Sequence, residues 1–163
     1  MIAVSSRSPL GWWRVLVAGA LFGSAAILVV GILLATREAN SGFDSRFAYL
    51  AAAESVLDGR SPYPAVDDPI LKEDKGYVYP PLLALAFVPF TALPVDTAAS
   101  IAIISSLAAV LAALAVVGVR DVRCYAAVLV WAPAWNAVEV ANVSAALTLA
   151  VALIWRFRAT VWP

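Results

Sequence analysis

The sequence predicts an all-α fold: a polytopic membrane helix bundle whose non-cytoplasmic first loop contains an interfacial helix. Three observations carry that expectation. Of the 163 residues, 63% are hydrophobic and 13% charged, with a mean hydropathy of +0.89, whereas soluble domains are about half apolar and a quarter charged. The apolar residues run continuously over lengths that suit membrane-crossing helices, not in the alternation of strands. The charges are also concentrated, since residues 36–79 hold eight of the eleven acids and five of the eleven basic residues.

Composition also excludes function classes. Eleven basic and eleven acidic residues cancel, so no nucleic-acid partner is expected. The absence of histidine removes the commonest metal ligand and general base. Cys124 is the single cysteine and has no internal disulfide partner. Chemistry is therefore left to carboxylates, tyrosines, hydroxyls and basic groups. No cofactor is expected. Asp67-Asp68 and Glu73-Asp74 lack calcium-loop spacing and read as solvated pairs, so no metal is expected either. Glu54 and Asp58, four apart, read as a solvated helix face.

The first span is placed at 15–35, 21 residues without a charge, enough for a hydrocarbon core of about 30 Å. Arg7, Arg14 and Trp12-Trp13 before it suit a cytoplasmic end with an aromatic anchor. The apolar run is too long for a signal-peptide core and is followed by no small-x-small cleavage site. The polar loop 36–79 comes next. Within it, Asp44 to Asp58 is Ala-rich, lacks Gly and Pro, and is followed by Gly59 as a terminator. This predicts a helix lying along the bilayer surface, with Phe47, Leu50, Ala51 and Leu57 on its buried face. Residues 61–76, rich in Pro and Asp, read as irregular.

Residues 80–93 open on Pro80-Pro81, contain Pro89 and stop before Pro94. At about 14 residues the segment is short for a span and predicts a re-entrant or interfacial piece. A second span covers 97–119. The apolar run from Cys124 to Trp155 carries one charge, Glu139, and reads as a hairpin with spans at 124–139 and 142–157. Asn136, Glu139 and Asn142 are costly against lipid and are placed at its turn or facing the bundle interior.

Charge sets the expected topology. With the amino terminus cytoplasmic and 80–93 not crossing, Arg120, Arg123, Arg156 and Arg158 all fall inside, as the positive-inside rule requires. The polar loop, the Tyr-Pro-Pro segment and the hairpin turn then share the non-cytoplasmic face of a plasma membrane.

The loop contains, in order, Asp44, an Ala-rich helix, Gly59-Arg60-Ser61-Pro62-Tyr63, and then Tyr77-Val78-Tyr79-Pro80-Pro81-Leu82 leading into an apolar segment. This ordered set directly after a first span resembles glycosyltransferase family 87, the polyprenyl-phosphate-mannose-dependent α-mannosyltransferases of C-type membrane architecture. The resemblance runs from about Val15 to Arg158. It implies a membrane enzyme that moves a hexose, mannose in the family, from a polyprenyl-phosphate sugar donor to an envelope glycolipid or glycan acceptor. Such enzymes are longer than this chain, so it is read as the amino-terminal portion of one, or a truncated form. Where the family hairpin carries Gly-Gln, this sequence has Ala141-Asn142. The other reading is a non-catalytic membrane scaffold or lipid-binding protein of the cell envelope; a transporter half has only Glu139 to offer as a buried charge.

The family reaction inverts the anomeric centre, and the resemblance makes Asp44 the catalytic base. The local alternative is a helix cap, with the Asp44 carboxylate accepting amides of a helix that starts at Ser45. Arg46 and Arg60 are candidate phosphate ligands or, equally, interfacial side chains with charged tips in water. Tyr63, Tyr77 and Tyr79 either anchor the interface or stack on a sugar. Asn142 completes the substrate-binding candidates, at the corner where the family carries Gln.

Overall fold

The computed structural model describes residues 10–35, 41–73 and 75–161, which contain helices and no strand. Arg7 and Asp74 lie outside the described residues. Helix α1, Leu10–Ala35, begins five residues before the predicted first span. Its Val15, Ile27 and Leu34 are exposed, which water would punish and lipid does not. The long helix α4, Val95–Val116, is likewise a single apolar rod, long and apolar enough to cross a membrane. Its buried face holds Ala98, Ala99, Ile103, Ala109, Val110 and Ala113, and small residues of this kind let backbones approach closely.

The region predicted as one span at 124–139 is two helices. Helix α5, Val122–Val130, is capped by the Asp121 carboxylate, which accepts the Arg123 amide at 2.9 Å. Trp131 is extended and α6, Ala132–Glu139, follows. Pro133 explains the break: lacking an N–H, it is tolerated in a first helical turn but not in the middle of a long helix. At the far end of α6 the chain turns by 115° into α7, Ser144–Val161. That turn closes with Ala141 N–H on Val138 O at 3.1 Å and Asn142 N–H on Ala137 O at 2.8 Å. This is the Schellman pattern, and Ala141 holds its left-handed position at φ +55°. The helices meet in a core of Ile103, Val110, Val138, Ala141 and Ala145.

The loop forms a second, smaller core. Its helix begins as a π turn, Asp44–Tyr49, and continues as α2, Leu50–Leu57. Gly59 ends it at φ +70°, with Gly59 N–H on Val56 O at 3.0 Å and Arg60 N–H on Ser55 O at 2.8 Å. The buried face differs from the predicted one. Ala48, Tyr49, Leu50, Ala52 and Ala53 are buried, Phe47 is half-buried, and Ala51 and Leu57 are exposed. The buried positions Ser45, Ala48, Tyr49, Ala52 and Ala53 recur at intervals of three and four, so one regular stripe packs inward, made of small residues and Tyr49 and set beside the larger Phe47 and Leu57.

Residues 81–92 lie against this helix as α3, Pro81–Phe87, followed by a tight 3₁₀ stretch, Val88–Ala92. Tyr77, 4% exposed, fastens the start of α3: its hydroxyl donates to Pro80 O and accepts the Ala84 amide at 2.9 Å. Removing that hydroxyl leaves the buried Ala84 amide without its acceptor, while Pro80 O keeps the Leu83 amide at 3.0 Å. Tyr77→Phe is therefore expected to lower stability by about 1–3 kcal/mol, read as a drop in the thermal midpoint of the detergent-solubilised protein.

Candidate active site at the loop and hairpin junction

Three segments far apart in sequence meet at one place: residues 41–49 after α1, the Tyr77–Pro81 strip, and the hairpin turn 139–143. Backbone hydrogen bonds join the first to the third, Gly42 N–H to Glu139 O at 2.8 Å and Asp44 N–H to Val140 O at 3.1 Å. Helices α1 and α5–α6 run toward this junction, and α4 and α7 run away from it. Arg14, Arg120, Arg123, Arg156 and Arg158 therefore lie at the opposite ends of their helices.

Gly42 makes the junction possible. It sits at φ +69°, and a Cβ there would come within 2.9 Å of Ser45 Oγ and 3.1 Å of the Ala99 Cβ. Its carbonyl accepts the Ser45 hydroxyl at 2.8 Å and the Arg46 amide at 2.8 Å. A side chain meets both a left-handed backbone, costing about 1–2 kcal/mol, and overpacking, costing about 1–3 kcal/mol. Gly42→Ala is expected to lose several kcal/mol and to loosen the loop from the hairpin, measured as faster amide exchange across residues 44–57.

Asp44 is half-buried at the centre of the junction. Asn142 Nδ2 donates to its Oδ2 at 2.6 Å, and the hydroxyls of Tyr49 and Tyr79 donate to the same oxygen at 3.3 Å each. Asn142 Nδ2 also donates to the Tyr79 hydroxyl at 3.2 Å, and the Val143 amide donates to the Tyr49 hydroxyl at 3.1 Å. Burial, helped by the neighbouring Tyr79 hydroxyl, pushes the Tyr49 pKa up, so Tyr49 stays a proton donor at neutral pH. All three donors converge on Oδ2; among the described residues none reaches Oδ1. The carboxylate is thus oriented through Oδ2. It does not cap the helix: Phe43 occupies the cap position, without a side-chain cap bond.

The other candidates are distributed around this centre. Arg46 is nearly buried, its Nε donating to Ser41 O at 2.6 Å and its Nη1 paired with Asp96 on α4; it fastens the loop to α4. Tyr63 is half-exposed, and its hydroxyl donates to Tyr79 O at 3.0 Å. Arg60 stands in solvent, paired with Asp58 at 2.7 Å and outside the Asp44 cluster. Tyr77 is buried behind Tyr79, ring to ring at 5.8 Å. The residue that sequence reasoning missed is Tyr49. In an α-helix, residues five apart are turned from each other by about 140°. The π turn brings Tyr49 round to Asp44, and nothing in the residue pattern announces a π turn.

One cleft adjoins the cluster and a second lies behind Tyr77. An apolar one of about 210 Å³ runs from Tyr49 and Asn142 between Phe87 and Phe90 on one side and Ala102 and Ser106 of α4 on the other. A polar one of about 370 Å³ opens on the loop side, beneath Tyr63 and Arg60. A third, apolar groove of about 520 Å³ lies among α4, α6 and α7 below Trp131 and Trp155, away from Asp44.

The sequence model of glycosyltransferase family 87 matches residues 77–163, more than half of the chain. The chain belongs to glycosyltransferase family 87. The matched stretch includes Tyr79 and Asn142, two of the three donors to Asp44, while Asp44 and Tyr49 lie upstream of it. No curated protein and no solved structure matches the chain. A family 87 glycosyltransferase with apolar membrane-crossing helices is a membrane protein that handles a sugar donor and an acceptor. The junction gathers its carboxylate, three tyrosines and an amide at one end of those helices.

Proposed function

We propose that this family 87 protein transfers a hexose, mannose by its family resemblance, from a polyprenyl-phosphate donor to an envelope glycolipid or glycan, with Asp44 as the base. The observation that carries the proposal is the Asp44 carboxylate, fixed through Oδ2 by Tyr49, Tyr79 and Asn142, with no donor to Oδ1 among the described residues. A general base needs a set direction and an oxygen left to take a proton. In the reaction, Oδ1 takes the proton of the acceptor hydroxyl as that oxygen attacks the anomeric carbon. The bond from that carbon to the phosphate oxygen breaks, its electron pair leaving with polyprenyl phosphate. The configuration inverts, and protonated Asp44 returns its proton to water.

The surroundings support the reading. An isoprenoid chain needs an apolar slot, and the cleft between Phe87, Phe90 and α4 offers one that ends at Asn142. The five arginines at the helix ends remote from Asp44 support the reading of the junction as non-cytoplasmic, in a plasma membrane, since basic residues favour the cytoplasmic side. Members of the bundle with exposed apolar faces are the contact with the bilayer. The test is transfer of labelled mannose from a synthetic polyprenyl-phosphate mannose to envelope glycolipid extracts by membranes containing the full-length protein. Product with inverted anomeric configuration is expected. Absence of any transfer, with the protein shown to be folded, would instead favour a lipid-binding scaffold.

A further inference from the structure

Resting on that reading of Asp44, we propose that the polar cleft beneath Tyr63 is a carbohydrate-binding site that holds the sugar chain of the acceptor. The cleft encloses about 370 Å³, within the range of sites that hold small ligands, about 300–1,000 Å³. Its lining pairs a half-exposed aromatic ring, Tyr63, with hydroxyl, carboxylate and cationic groups from Ser55, Ser61, Asp68, Arg60 and Lys75. A sugar presents the complement, an apolar C–H face and a rim of hydroxyls that both donate and accept. The charges argue for a neutral ligand in place of a phosphate. Arg60 is neutralised by Asp58 at 2.7 Å and Lys75 by Glu73 at 2.8 Å, while Asp68 adds a negative charge. An anion would find no net positive field there.

Position links the cleft to the chemistry. The Tyr63 ring lies 5.7 Å from that of Tyr77, Tyr77 lies 5.8 Å from Tyr79, and Tyr79 lies 5.1 Å from Tyr49. The Tyr63 hydroxyl is bonded to the backbone of Tyr79, whose own hydroxyl touches Asp44. This tyrosine wall separates the polar cleft from the apolar one and carries the Asp44 contacts along it. Asp44 lines neither cleft itself, and the Tyr79 hydroxyl in the wall between them touches its carboxylate.

The experiment is saturation-transfer NMR on the full chain in lipid nanodiscs, using disaccharides of mannose, glucose and galactose as probes. Binding of at least one is expected. The saturation-transfer signal should vanish in Tyr63→Ala, persist in Tyr63→Phe, which retains the ring, and persist in Asp44→Asn. Unchanged thermal midpoints in the Tyr63 variants show that the loop stays folded. No binding by any disaccharide, or binding indifferent to Tyr63→Ala, would overturn the inference. Glycosyl transfer observed without such binding would overturn it while leaving the proposed function standing. Tyr63-dependent binding without transfer would establish the site and remove the catalytic reading.

Discussion

Asp44→Asn is expected to reduce sugar transfer by about 10²–10⁴, the usual contribution of a positioned general base. The fold should survive. The amide oxygen can take the place of Oδ2 and accept from Tyr49, Tyr79 and Asn142, so all three hydrogen bonds are kept. What is lost is the charge assistance: bonds to charged groups are worth about 1.5–3 kcal/mol, and neutral ones about 0.5–1.5 kcal/mol. The stability cost is therefore about 1 kcal/mol for each bond, or about 3 kcal/mol if the three add. The barrier rises by about 3–5 kcal/mol, at 1.36 kcal/mol per tenfold. Rate, taken on the folded fraction, and stability are both measurable on the purified full-length enzyme. Turnover near that of the unaltered protein would remove Asp44 from the mechanism.

Asn142→Asp is expected to be nearly as damaging, for a different reason. Asn142 does two jobs: its Oδ1 accepts the Ser144 amide at 2.9 Å at the start of α7, and its Nδ2 donates to Asp44 at 2.6 Å. Aspartate performs the first as well as asparagine, and a negative charge suits a helix start. The second job is reversed, because a donor becomes a carboxylate facing a carboxylate. Two like charges about 4 Å apart cost about 4 kcal/mol at an effective dielectric of 20. Either one carboxyl takes up a proton or the hairpin turn moves off the loop, and in both cases Asp44 is no longer poised. Transfer should fall by at least about a hundredfold, the scale of a 1 Å misplacement at a reacting group. Asn142→Gln, which keeps the amide donor, should retain far more activity. Equal activity in Asn142→Asp and the unaltered enzyme would show that the clamp does not position the base.

The sequence alone determined the class of structure. Unbroken apolar runs at 15–35 and 97–119 have one solution in lipid, since each backbone N–H and C=O must be paired within the segment. Gly59 was legible as a helix end because a left-handed position favours a residue without a Cβ. Asp44, Tyr79 and Asn142 stood out singly, as an acid, a ring and an amide at the edges of apolar runs. Their convergence was not readable, because 98 residues separate Asp44 from Asn142 and no local pattern records which turn meets which loop. Tertiary structure made those decisions. It placed Gly42 where a side chain would collide with Ser45 and Ala99, and it used Arg46 to tie the loop to Asp96. It widened the first turn of the loop helix so that Tyr49 reaches Asp44. A π turn has no propensity of its own to betray it; it exists because packing against the hairpin and α3 holds it, and that packing is a property of the whole chain.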